Sequence, residues 1–117
     1  MLKKYIRRFP HAFRGLKTAF LIDFGFRTQI YLGIAISFLI CAFLLPLDQT
    51  EFLFIVLAYT LILVTELQNS SLELALDKLH PELNDSIKRS KDMAAAAVLI
   101  SGAFLVVVLL SIFLDRI

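Results

Sequence analysis

A single cysteine, three prolines and four glycines are spread through 117 residues, and tryptophan is absent. Cys41 lies alone inside an apolar run, which excludes an intrachain disulfide and leaves the redox setting open. Neither a G-x-x-x-x-G-K-[ST] phosphate loop nor an H-R-D catalytic loop occurs, so the usual phosphate-binding devices of soluble kinases are excluded. Internal repeats and low-complexity tracts are missing as well. The first long apolar run begins near Thr28 and no small-residue cleavage pattern follows it, so a cleaved signal peptide is not expected. Net charge is only +2. That is too modest a basic excess, in too apolar a setting, to suggest a nucleic-acid partner.

What the chain does have is hydrophobic residues, at 59%, with a mean hydropathy of +0.81. Soluble domains average roughly 45–50% apolar. The excess is concentrated in long runs, the signature of an integral membrane protein. Residues 28–47 and 93–114 carry no charge. At about 1.5 Å per residue each run spans a hydrocarbon core of roughly 30 Å. The uncharged middle run, 52–65, is too short to cross by itself. It spans only if its helix continues through Glu66, Asn69 and onward, and no Pro or Gly interrupts 66–79 before Pro81. Ionisable groups carried to that depth are costly and mark function.

The pattern predicts an all-α membrane protein, one domain over 1–117, with spans near 28–47, 52–72 and 93–114. Over about 2–26, Phe9, Phe13, Leu16, Phe20 and Phe24 recur at helical spacing beside Arg14 and Lys17. That stripe predicts an amphipathic interfacial helix interrupted at Pro10, lying in the headgroup plane or packed on its own bundle. The N-terminal segment and the 77–92 loop are basic, whereas the 48–51 turn is acidic. The positive-inside rule therefore places the N-terminus and the 77–92 loop in the cytoplasm, as for a multi-pass protein of a bacterial inner membrane.

On a helix at 100° per residue, Glu66, Asn69, Ser70, Glu73 and Asp77 fall within an arc of roughly 100°. Carboxylates on such a face can hold a divalent metal against phosphate charge, while another accepts a hydroxyl proton. Asp77 also suits a simple solvated helix end. Asp23 can be read as an interfacial acid paired with Arg27 one turn on. Lys88 and Arg89 read as topology markers. Gln29 fits either a hydrogen bond within the bundle or a part in substrate selection.

The segment Glu66-Leu-Gln-Asn69-Ser70-Ser-Leu-Glu73-Leu-Ala-Leu-Asp77, followed after a loop by Lys91-Asp92-Met-Ala-Ala-Ala-Ala-Val-Leu, closely resembles the prokaryotic diacylglycerol kinase family, which includes undecaprenol kinases. Phe13-Arg-Gly15-Leu16-Lys17 and Asp23-Phe-Gly-Phe26-Arg27 extend the resemblance upstream. The resemblance implies a homotrimeric lipid kinase that uses ATP and Mg²⁺ to phosphorylate diacylglycerol, giving phosphatidic acid. The alternative acceptor is the polyprenol undecaprenol. It implies Glu66 as general base, Asp23 and Glu73 as metal ligands, and Asn69, Lys91 and Asp92 as nucleotide contacts. Lys4 and His11 fall where the family often has further nucleotide contacts. Asp23 departs from the glutamate usual in the family, which puts the details of metal coordination in question. A remote alternative from a different class is a small ion or proton transporter subunit using Glu66 and Glu73 as a relay.

Overall fold

Five helices make up the computed structural model, which describes residues 1–82 and 84–117: α1 (Leu2–Ile6), α2 (Arg8–Ile22), α3 (Phe24–Phe43), α4 (Gln49–Leu79) and α5 (Asp85–Arg116). Among the described residues there are no strands, so the all-α expectation is met. Three of the helices, α3, α4 and α5, are long and apolar enough to cross a membrane.

The N-terminal break falls at Arg7, not at Pro10. Pro10 lies in the first turn of α2, where its missing N–H would have had no helical partner. Residue 23 separates α2 from α3. Asp23 adopts an extended backbone, and its side chain accepts the Phe26 N–H at 2.9 Å, capping α3. Arg27 then turns back to donate to the carbonyls of Leu21 (3.1 Å) and Phe20 (3.4 Å) at the open end of α2. Arg27 is therefore not the partner of Asp23, and the interfacial-pair reading of Asp23 is not realised.

The middle helix runs unbroken from Gln49 to Leu79 and stops two residues before Pro81, so Glu66 and Asn69 are carried inside it as the run length required. Its start is fixed by a capping box in which Asp48 and Glu51 exchange backbone-to-carboxylate hydrogen bonds of 2.8 and 3.0 Å.

The buried core is small and lies in the α4–α5 seam, where Ala58 and Ile62 meet Leu105, Val108 and Ile112. On α5 the buried positions Ser101, Leu105, Val108 and Ile112 recur at four, three and four, a coiled-coil-like stripe. Ala58 is completely buried, since its methyl group lets the two backbones approach. Most large apolar side chains face outward, Phe38, Phe43 and Leu99 among them at nearly three-quarters exposed. The radius of gyration is 17.3 Å, against about 13 Å for a compact water-soluble chain of this length. Both features fit a bundle whose solvent is lipid.

At the end of the bundle opposite Glu66, Arg116 closes the structure. Its guanidinium donates to both carboxylate oxygens of Glu51 (2.8 and 3.0 Å) and to the carbonyls of Leu44 and Pro46. This ties the end of α5 to the α3–α4 turn.

Candidate active site

Asp23 stands at the junction of α2 and α3 because its cap role ends one helix and begins the next. From there its Oδ2 accepts a second hydrogen bond, from the Ser70 hydroxyl of α4 at 2.6 Å. One turn N-terminal to Ser70, Glu66 is buried, with 8% of its surface exposed. Its carboxylate lies against Gly25: a Cβ at that position would stand 3.2 Å from Glu66 Cδ, overlap Oε1, and reach Asp23 Oδ2 at 3.8 Å. Gly25 is thus the close approach that lets the carboxylate of α4 and that of the α2–α3 junction share one locality. Thr65, beside Glu66, anchors this part of α4 to α5 through the Ser101 hydroxyl at 3.3 Å.

The acidic face of α4 divides. Glu66 turns toward Gly25 of α3, whereas Ser70, Glu73 and Asp77 line a cavity of 820 Å³ between α2 and α4. Asp23 forms part of the same wall. The α2 side of this cavity includes a stripe of small residues, Ala12, Gly15 and Ala19, spaced three and four apart, flanked by Leu16 and Ile22. That small stripe was present in the sequence beside the more conspicuous phenylalanine stripe and is the signal that could have located the cavity.

The remaining expected site residues are placed as follows. Lys91, near the start of α5, makes an ion pair with Asp77, so it reaches the cavity through that side chain. Asp92 is exposed beside it. Asn69 Oδ1 is buried and, among the described residues, accepts no hydrogen bond. Lys4 on α1 and His11 on α2 are exposed and do not line the cavity; the His11 ring contacts the Arg14 guanidinium instead. Ser70, to which the sequence alone assigns no separate role, links α4 directly to Asp23 at the α2–α3 junction.

Among the described residues, no three His, Cys or acidic groups converge into a protein cage for a metal ion. A small hard cation that completes its shell with substrate phosphates and water needs only one or two carboxylates. Asp23 and Glu73 on the walls of one cavity are such a set, and among the described residues no hydrogen bond reaches Asp23 Oδ1. The donor chemistry therefore fits a phosphate-bound divalent ion.

Three helices long and apolar enough to cross a membrane, with carboxylates gathered on one stretch of the middle one, define the class: a multi-pass membrane protein with an acidic cluster. Comparison with known proteins specifies it further. The chain matches the prokaryotic diacylglycerol kinase family over residues 10–113 and belongs to that family. It is 28% identical over 99 residues to the diacylglycerol kinase of Escherichia coli K12, covering 84% of this chain and 79% of that one. With the Helicobacter pylori diacylglycerol kinase identity is 38% over 90 residues, 77% and 69% of the two chains. With the undecaprenol kinase of Bacillus subtilis 168 it is 30% over 115 residues, 98% and 92%. The protein is a lipid kinase, and kinase chemistry implies ATP together with a metal ion.

Proposed function

We propose that the chain transfers the γ-phosphoryl group of ATP to the hydroxyl of diacylglycerol, forming phosphatidic acid, with Glu66 as general base. The observation that carries this reading is the convergence of Asp23 and Glu66 on Gly25, with Ser70 bonded to Asp23 beside a cavity that also holds Glu73. Glu66 is buried at the end of the span, where a lipid hydroxyl can approach from the bilayer while its tails stay in hydrocarbon. Asp23 and Glu73 would hold Mg²⁺, which when bound supplies neutralisation of phosphate charge.

Ser70 fixes the Asp23 carboxylate, and Gly25 sets how closely Glu66 approaches it. Lys91 exchanges Asp77 for nucleotide phosphate, with Asn69 and Asp92 orienting the nucleotide; Lys4 and His11 add contacts if α1 and α2 fold over it. Burial at the bilayer edge excludes water from the acceptor position and so limits wasteful ATP hydrolysis.

The whole chain acts as one membrane domain in the bacterial inner membrane, its N-terminus and acidic site facing the cytoplasm, where ATP is found. A homotrimer accounts for the exposed small residues at 95–97 of α5. Undecaprenol is the second acceptor, favoured by the near full-length match to the Bacillus enzyme of that name. Purified protein given labelled ATP, Mg²⁺ and either lipid tests the reading. Labelled phosphatidic acid is expected, and Glu66→Gln should lower turnover by at least about a hundredfold with assembly intact. Retained turnover in Glu66→Gln removes Glu66 from the mechanism, and vesicle ion transport without ATP consumption would point to the transporter class.

A further inference from the structure

A second hollow, a surface crevice of 540 Å³, lies between α3 and α4 deeper in the bundle. Its walls are largely apolar, with Ile34, Ile40, Ile55 and Phe52 among them. The Ser37 hydroxyl on its wall is occupied by the Gly33 carbonyl at 2.8 Å. Tyr59 stands on its wall toward the Glu66 end. Its ring lies on Gly33, so closely that a Cβ there would be 2.7 Å from Cε2, and its hydroxyl donates to the Gln29 carbonyl at 3.2 Å. Both contacts hold the phenol end of the ring, which cannot swing aside without losing them.

Tyr59 and Glu66 are seven residues apart, on one face of α4 and separated by about 10 Å along its axis. On α3, Gln29 follows Gly25 by one turn. The crevice is therefore a continuation of the seam that holds the carboxylates, directed into the bilayer. An acceptor whose hydroxyl meets Glu66 has its tails pointing the same way, which argues for one hydrocarbon tail of that lipid as the occupant. This step rests on the general-base role proposed for Glu66.

We propose that Tyr59 determines tail selectivity: the pinned ring narrows the seam so that a straight acyl chain passes while a methyl-branched prenyl chain is hindered. An apolar site distinguishes one methyl or methylene group by roughly tenfold to two-hundredfold. The test compares kcat/KM for a straight-chain diacylglycerol and a methyl-branched prenol in mixed micelles, using the full chain as wild type, Tyr59→Ala and Tyr59→Phe. Wild type should favour the diacylglycerol. Tyr59→Ala should raise the prenol-to-diacylglycerol ratio about tenfold, and Tyr59→Phe, which keeps the ring but loses the hydroxyl tie to Gln29, should raise it less.

An unchanged or lowered ratio in Tyr59→Ala, or a wild type that favours the prenol, overturns the assignment while leaving Glu66 as base. Absence of turnover of either lipid by the wild type overturns the assignment together with the proposed function. Should Tyr59→Ala fail to fold, a diacylglycerol with a photoreactive diazirine tail is crosslinked to the wild type. Adducts on the crevice walls, such as Ile34, Ser37 and Ile55, support the proposal. Adducts confined elsewhere, or chain-to-chain crosslinks filling the crevice, refute it.

Discussion

Replacing Gly25 by alanine separates catalysis from stability, because the two should move in opposite directions. Gly25 lies in the first turn of α3, and alanine is the better helix former there by up to about 1 kcal/mol. On local grounds alone the variant should be as stable as the parent or slightly more so. The added Cβ, however, would stand 3.2 Å from Glu66 Cδ and overlap Oε1. Carbon atoms at optimal separation are about 3.5–4.0 Å apart. The α3 backbone is anchored by the Asp23 cap and by buried Phe26, so the carboxylate is the part that yields. A retreat of about 1 Å by a general base costs on the order of a hundredfold in rate. That factor corresponds to about 2.7 kcal/mol of barrier. Steady-state phosphorylation of diacylglycerol in mixed micelles, alongside thermal denaturation in the same detergent, measures both quantities. The expected result is kcat down about a hundredfold with an unchanged or raised denaturation temperature. A Gly25→Ala enzyme with kcat within about threefold of wild type would refute the placement of the Glu66 carboxylate against α3 as a catalytic constraint.

Ser70→Ala removes the 2.6 Å hydrogen bond to Asp23. A hydrogen bond to a charged group contributes about 1.5–3 kcal/mol, so the apparent affinity for Mg²⁺ should weaken by about tenfold, with excess Mg²⁺ restoring much of the rate; an unchanged Mg²⁺ dependence argues against Asp23 as a ligand. Arg116→Gln leaves Glu51 without its bidentate partner and two turn carbonyls without a donor. Its denaturation temperature should fall by several degrees while the KM for ATP stays unchanged, because the clasp lies at the opposite end of the bundle from the acidic site.

The sequence made the spans legible because a bilayer imposes a length requirement that a chain cannot evade. The short uncharged run 52–65 forced its helix onward through Glu66, and α4 does continue to Leu79 before Pro81. Helical periodicity likewise placed Ser70, Glu73 and Asp77 on one face, and all three line the same cavity. Periodicity fixes relations within one helix and says nothing about which neighbour that face will meet. It could not show that Glu66 leaves its fellow acids to lie on Gly25, or that Asp23, 47 residues before Ser70, would accept a hydrogen bond from the Ser70 hydroxyl. Nor could it show Lys91 paired with Asp77, or the Tyr59 ring seated over Gly33.

Local composition and the bilayer's thickness thus determined the number of helices, their order and the depth to which the acids are carried. Only the packing of one helix on another decided which acids meet. That outcome depends on where a missing side chain, at Gly25 or Gly33, allows two backbones to approach, and such an approach is a property of pairs of helices that no single stretch of sequence contains.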